Sequence, residues 1–581
     1  MPCHAMPSQG CNGPLLRAII YLPYCTALHC MALAMALQSS MAMASAWLHL
    51  RLRLPLGLPL LLLLLLNLLN LLNLLNLLFA RLPFPFVACT PLDDYVLKPD
   101  ANYRWHDTGG RLRGRFITGA WEGVVLNMTS QAWLSPTDVD RPIWTHNLVI
   151  VTPERIEYET AFILIGGGSN TGEPPTATDE LLLLAAALAV KTRTLAAVLY
   201  QVPNQPLHFS GDKLRSSRSE DDIIAYTWAH FFEDTRRTEW PAHIPMTKAT
   251  IRALDTVQSY ASSQLKLQVQ SFVVGGASKR GWTTWLTGAV DKRVVGIVPM
   301  VMDLLNSVKN LHHFYRSLGG WPVPFEPYYL LNITAKLDST EFDKLMAIVD
   351  PYVYIHRLTM PKLIVTSSND EFFLIDDSMF FWDELEGEKH HLILANSEHS
   401  LTSALPKLLE ATEAFHLSIA KDIQSVEHAV ADQCMNSRPQ CSWTFDGITG
   451  SFVVSASEKP LKATLWYAYT IPRNGRRDFR WLTADLGNCS TFVVAGMCFQ
   501  PILFRPHKLR TSAFIASGSG TYSYAATAAL PKEGFGAYFV ELKFRGPQIT
   551  SPFIFTTEAA IAPDGYPFAD CHGDHCYGTL L

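Results

Sequence analysis

The chain has 581 residues, 47 Lys+Arg against 52 Asp+Glu, a net charge of −5, and 48% hydrophobic and 11% aromatic residues. That apolar content excludes disorder over most of the length, and the length allows two or three domains with a large core. Residues 1–89 hold four Arg and no Lys, Asp or Glu, so residues 90–581 carry 43 basic against 52 acidic side chains. A mildly acidic body excludes nucleic-acid binding by bulk charge.

Residues 1–89 read as a leader. Arg51 and Arg53 precede a run from Leu54 to Ala80 that is mostly leucine, punctuated by Asn67, Asn70, Asn73 and Asn76. A basic flank before an apolar run is an export signal or a membrane anchor. Residues 54–79 are long enough for an anchor, since about 20 apolar residues span a bilayer. The chain is therefore expected to be secreted, or anchored facing the outside. Cysteine usage agrees with export. Cys3, Cys11, Cys25, Cys30 and Cys89 lie in or beside the leader, and the next is Cys434, followed by Cys441, Cys489, Cys498, Cys571 and Cys576. An even terminal set in an exported chain indicates disulfides, and local spacing favours Cys434 with Cys441, Cys489 with Cys498, and Cys571 with Cys576. Sequons at Asn127, Asn332 and Asn488 fit a glycosylated surface.

Residues 90–424 form the second division. From 161 to 420, strand and helix signals alternate. Ala161–Ile165 is a short apolar run ending in Gly166-Gly167-Gly168, and Ala177–Val190 reads as a buried helix. Thr194–Val202 is the next strand, and Asp221–Phe232 and Thr247–Tyr260 are helices. Phe272–Val274 runs into Gly275-Gly276-Ala277-Ser278, residues 279–290 are helical, and Val294–Met300, Leu363–Thr366 and His391–Leu394 are strands before a helix at Leu401–Ile419. This alternation predicts a mostly parallel sheet covered on both faces. Residues 304–360 interrupt it with many aromatics, including Trp321 and Tyr328, the expected substrate contacts of a helical cap. Residues 425–581 form a third division. There, short Thr/Val/Phe/Tyr-rich runs between Gly/Pro turns predict an antiparallel, β-sandwich-like module.

Chemistry is expected from three residues. Ser278 sits where a strand meets a helix, so its hydroxyl would project from the C-terminal sheet edge. The stretch Gly276-Ala277-Ser278-Lys279-Arg280-Gly281 departs from Gly-x-Ser-x-Gly by a second glycine one residue late. A serine nucleophile needs a base, and the base needs an orienting carboxylate. In α/β-hydrolases the order is Ser, acid, His. Asp370 follows the strand at 363–366 and His399 the strand at 391–394, at the same edge as Ser278. Asp303 is the reserve acid, and Asp376 and Asp377 are weaker because a helix is expected there. The oxyanion hole is expected from the Lys279 amide and from the early glycine turn, through Gly167 and Gly168. A phosphate loop is the alternative, disfavoured by the missing Gly-Lys-Ser/Thr ending. No cofactor is expected. In the tail, Asp570, Cys571, His572, Asp574, His575 and Cys576 read as a disulfide with polar neighbours in preference to a metal site.

Several stretches resemble the PhoPQ-activated pathogenicity-related family: Gly275–Trp285 (GGASKRGWTTW), Thr90–Val96 (TPLDDYV), Gln201–Asn204 (QVPN), Glu220–Trp228 (EDDIIAYTW) and Asn369–Leu374 (NDEFFL). Autocrine proliferation repressor proteins are related to that family. The resemblance implies an α/β-hydrolase fold, an export signal and a C-terminal β module, and the late second glycine belongs to its pattern. The expected function is a secreted serine hydrolase acting on a small acyl or peptide substrate. Amine recognition by Glu220, Asp221 and Asp222 would mark a peptidase. The alternative is a secreted signalling or binding protein with a cell-surface receptor.

Overall fold

The computed structural model describes residues 89–581 except 428–437, 473–474, 485–486, 488, 490, 495, 512–513 and 517–519. The leader and Cys434 lie outside the described residues. No helix among the described residues is long and apolar enough to cross a membrane.

Short runs of branched apolar residues build the centre. Strands β1 (Arg104–Phe116), β2 (Gly119–Ala132) and β3 (Ile143–Pro153) form an antiparallel meander. They are followed by β4 (Ala161–Ile165), β5 (Ala196–Leu199), β6 (Phe272–Ala277), β7 (Val294–Met300), β8 (Lys362–Ser367) and β9 (Lys389–Leu394). The order across the sheet is β1-β2-β3-β5-β4-β6-β7-β8-β9, and β5 through β9 are mutually parallel. Every residue of β4, β5 and β8 is buried. This is why these strands read as unbroken apolar runs instead of alternating ones. Alternation still sorts their side chains. Ala161, Ile163 and Ile165 join the core on one face, and Phe162 and Leu164 join the core on the other.

Helices cover both faces. In chain order they are α1 (Pro91–Leu97), α2 (Glu180–Thr192), α3 (Asp221–Glu233), α4 (His243–Tyr260), α5 (Lys279–Val290), α6 (Ser307–Leu318), α7 (Glu326–Leu330), α8 (Thr340–Val349) and α9 (Leu405–Glu427). Residues of α3, α4 and α5 enter one core, and residues of α2 and α9 enter the other. The result is an α/β-hydrolase arrangement, a mostly parallel sheet between helical layers. Between β7 and β8 the interruption at 304–360 is helical, as α6, α7, α8 and intervening 3-10 turns. The expected strand at 194–202 is shorter, because Gln201 turns into left-handed backbone at φ 63°.

The residues after 425 add antiparallel sheets. The main sheet continues past β9 through Ser551–Thr556, Gly536–Gln548, Lys462–Tyr469 and Arg505–Leu509. One sheet therefore runs across the boundary at 424/425, and Pro91–Leu581 form one compact unit. A second sheet orders Cys441–Phe445, Ser451–Ala456, Tyr522–Thr527 and Ile515–Ala516. Its Phe452 and Val454 share a core with Leu465, Tyr538 and Val540 of the extended sheet, which is sandwich-like packing. Disulfides join Cys489 to Cys498 and Cys571 to Cys576. The expected pairing of Cys441 with Cys434 falls partly outside the described residues.

Two glycines set how closely α5 sits on the sheet. A Cβ at Gly276 would lie 2.7 Å from the Arg280 carbonyl oxygen, and one at Gly281 would lie 2.8 Å from the Met300 oxygen. Both obstacles are backbone and cannot swing aside. A helix-interior Gly→Ala exchange ordinarily gains about 1 kcal/mol, but here overpacking opposes it at about 1–3 kcal/mol. Gly281→Ala should lower the melting temperature. Gly447→Ala, whose new Cβ would meet nothing closer than 3.8 Å, should leave it unchanged. Thermal denaturation of both variants checks the packing, and an unshifted Gly281→Ala would contradict it.

Candidate active site

The C-terminal ends of β4, β6, β7, β8 and β9 lie side by side. Ile165 pairs with Gly276, Ala277 with Met300, Met300 with Val365, and Ser367 with Leu394. The residues that follow these positions therefore share one edge. They are Gly166–Gly168, Ser278, Asp303, Asp370 and His399.

Ser278 bridges β6 and α5 with φ 57° and ψ −129°. A positive φ is uncommon outside glycine, and such strain persists where surrounding structure enforces it, often at functional sites. The Ser278 N–H donates to the Met300 oxygen at 2.9 Å, and its carbonyl accepts from Trp282 at 3.0 Å. Both ends of the turn are thus bonded, to sheet and to helix.

His399 is oriented by Asp370. Its Nδ1 lies 2.8 and 2.9 Å from the two carboxylate oxygens. The carboxylate is fixed in turn by the amides of Phe372 and Phe373, at 2.7 and 3.2 Å. The His399 amide donates to Glu371 Oε2 at 2.9 Å. His399 Nε2 is buried and makes no hydrogen bond to Ser278 or any other described residue. The imidazole lies on the Phe372 ring, centroids 4.2 Å apart. Phe372, Phe373 and Ser278 line one chamber, and the His399 imidazole packs on Phe372 and Phe373.

Asp303 has a different state. Burial, and then the charge of Asp370, push its carboxyl well above the usual range, and its Oδ2 has no partner among the described residues. Asp377 is raised by burial and by Asp303 and Asp376. A carboxyl kept protonated is a poor counter-ion for an imidazolium, so the reserve acid is the weaker choice. Asp376 goes the other way. Burial alone would raise it, but Arg477 and His313 hold it below the usual carboxylate range. Asp376 and Asp377 sit at a 3-10 turn, Asp377–Phe380, and not within an α-helix as expected.

The glycine turn after β4 is held by its carbonyls. Gly167 O accepts from the Gln201 amide at 2.8 Å, and Gly166 O from the Val202 amide at 3.1 Å. The amides of Gly167 and Gly168 have no partner among the described residues. A Cβ on Gly167 would lie 2.7 Å from Arg280 Nη2, so glycine admits the guanidinium there. Lys279 opens α5, whose N-terminus concentrates partial positive charge.

The chamber is mostly apolar. Trp321, Phe325, Tyr328 and Phe342 of the insertion line it together with Trp228 and Trp282. Both expected substrate contacts are therefore in the lining. His243, unremarked in the sequence, is fully buried in the lining, and neither ring nitrogen has a partner among the described residues. Burial, aided by the Lys279 charge, holds its pKa down to about 3, so the ring is neutral.

The acidic run at 220–222 is already engaged. Lys279 Nζ lies 2.9 Å from both Glu220 and Asp221, and Arg280 pairs with Glu220. Tyr328 donates to Asp221 at 3.0 Å. Burial would raise the Glu220 carboxyl, but Arg280 and Lys279 hold it at about 2. These carboxylates are spent within the protein, which disfavours them as receivers of a substrate amine. The clue was in the sequence: two cations in a helix's first turn are unfavourable unless anions answer them.

The model of the family described as PhoPQ-activated pathogenicity-related protein matches residues 92–480. The autocrine proliferation repressor protein A of Dictyostelium discoideum is 34% identical over 497 residues, 83% of this chain and 92% of its own. Among solved structures, acetyl xylan esterase 1 from Thermoanaerobacterium sp. aligns with 57% of this chain and 91% of its own, at 14% identity and a TM-score of 0.37. The glucuronoyl esterase from Solibacter usitatus aligns with 57% and 90%, at 12% identity and a TM-score of 0.33. The acylaminoacyl peptidase of Pyrococcus horikoshii aligns with 48% and 39%, at 11% identity and a TM-score of 0.30. The family match covers more than half of the chain and the amoebal relative most of it, so the chain belongs to the PhoPQ-activated pathogenicity-related protein family.

Proposed function

We propose that the protein is a secreted serine hydrolase that cleaves esters of apolar acyl groups through an acyl-enzyme. The supporting observation is the Asp370–His399 pair, whose Nε2 has no partner among the described residues and whose imidazole packs on Phe372, a residue that lines the same chamber as the strained turn at Ser278. Apo sites often hold their catalytic hydrogen bonds open until substrate arrives. Ser278 Oγ attacks the ester carbonyl carbon as its proton passes to His399 Nε2. Asp370 stabilises the imidazolium that forms. The oxyanion takes hydrogen bonds from the Lys279 amide and from Gly167 or Gly168. Collapse breaks the carbon–oxygen bond of the leaving alcohol, which receives the proton from His399. Water then repeats the sequence on the acyl-enzyme. The leader and the two disulfides support export.

The esterase reading is preferred to a peptidase because the lining is largely aromatic and aliphatic, and because Glu220 and Asp221 already hold Lys279 and Arg280. The neutral His243 offers one polar partner inside the chamber.

The name of the amoebal relative favours a second reading, a secreted repressor of proliferation on this scaffold. It separates from the first by one variant: a folded Ser278→Ala protein that keeps full biological effect would support signalling independent of hydrolysis.

Ser278→Ala should abolish labelling by a fluorophosphonate probe and lower kcat by about 10⁶-fold. Asp370→Asn should fold normally and lose about 10⁴-fold. Undiminished labelling of Ser278→Ala would reject the nucleophile. Among p-nitrophenyl esters, kcat/KM should rise from acetate to longer or aryl acyl groups, and dipeptide amides should be poor substrates. The opposite order would favour the peptidase.

A further inference from the structure

A cluster of histidine and aspartate lies where the helical insertion meets the C-terminal tail, apart from the Ser278 chamber lining. His312 is on α6, Asp338 is in the turn before α8, and His572 is in the tail. His312 Nε2 lies 3.0 Å from Asp338 Oδ1, and His572 Nδ1 lies 3.4 Å from Asp338 Oδ2. One ligand atom from each of the three falls within 4.8 Å of the others, and the two imidazole centroids are 5.7 Å apart.

Two features point to a cation shared by these groups. The first is convergence: an imidazole nitrogen from each of His312 and His572 and a carboxylate oxygen of Asp338 all lie within 4.8 Å of one another. The second is the support behind the ligands. Metal-binding histidines usually give their other N–H to a carboxylate, which fixes tautomer and ring angle. Asp570 stands in that place for His312, and the Gly573 amide donates to Asp338 Oδ2 at 2.9 Å. The cysteines on either side of His572 are bonded to each other, so they close the tail's loop without serving as ligands.

We propose that His312, Asp338 and His572 bind one divalent transition-metal ion of the zinc type. Water completes the coordination on the open side, where the His572 side chain is 75% and that of Asp338 35% exposed. Imidazole and carboxylate donors suit zinc better than calcium or magnesium. The ion staples the tail to the insertion. That tail also holds a wall of the chamber. The Trp321 amide donates to Thr579 O, the Leu581 amide to Trp321 O (both 2.8 Å), and Trp321 Nε1 to Cys576 O at 2.9 Å.

The test is calorimetric titration of zinc chloride into the untagged, secreted chain at neutral pH. One equivalent should bind, and zinc should raise the melting temperature in a manner reversed by EDTA. His572→Ala, at the most exposed position, and Asp338→Asn should each weaken binding at least tenfold with an unchanged near-ultraviolet dichroism spectrum. Asp570→Asn should weaken it by about 10–100-fold. Absence of stoichiometric zinc binding by the wild type would overturn the site. So would wild-type affinity in His572→Ala, or equal stabilisation by magnesium or calcium alone.

Discussion

The ion-pair knot of Glu220, Asp221, Lys279 and Arg280 is the constraint on which the edge that carries Ser278 depends. Lys279 and Arg280 stand in the first turn of α5, where cations oppose the helix dipole, whereas Asp221 stands in the first turn of α3, where an anion is favoured. Pairing the two helix starts removes the conflict. Arg280 then reaches further: its Nε donates to Val202 O at 2.6 Å, and its guanidinium fills the space left by the missing side chain of Gly167. Asp221 accepts from Tyr328 of the insertion. One knot thus links the Ser278 turn, the glycine turn and the insertion. Removing one partner strands the others, at a cost that solvent screening at the partly exposed Glu220 reduces.

Around that knot the edge is built of groups whose charge states diverge. Asp370 touches the imidazole, while Asp303 and Asp377 behind it are driven towards protonation by burial and by neighbouring carboxylates. Several carboxyls buried together cannot all ionise. Asp370 has His399 and two amides, and Asp376 has Arg477 and His313. Asp303 has an oxygen with no partner among the described residues. The choice of orienting acid is therefore electrostatic as well as geometric.

Legibility in the sequence followed the locality of the signal. The parallel strands are apolar runs bounded by turns, and the chain order of Ser278, Asp370 and His399 after three of them needs no tertiary knowledge. The glycines at 276 and 281 could be counted, but that each faces a backbone carbonyl could not. The strands from 104 to 153 escaped notice because β1, half exposed and rich in Arg and Gly, lacks a clean apolar alternation. The acidic run reads as a possible amine receiver because nothing local says that its partner Arg280 lies 60 residues later. His243 carries no pattern at all: a single histidine in an apolar helix reads as core until the chamber beside it is known.

The residues after 425 show how far long-range pairing reorders such a reading. Their composition is that of a separate β module, yet Thr556 pairs with His391 and carries the main sheet onward from β9. The tail then returns to the insertion, where its carbonyls hold Trp321 and the Arg480 guanidinium lies 3.5 Å from the Leu581 carbonyl. Trp321 is a wall of the chamber that Ser278 lines. A substitution in the β strands or at the tail can therefore change the chamber without lining it, because its shape is set by contacts some 250 residues apart in the chain. The insertion supplies the aromatic surface, and the C-terminal residues supply the geometry that keeps it in place.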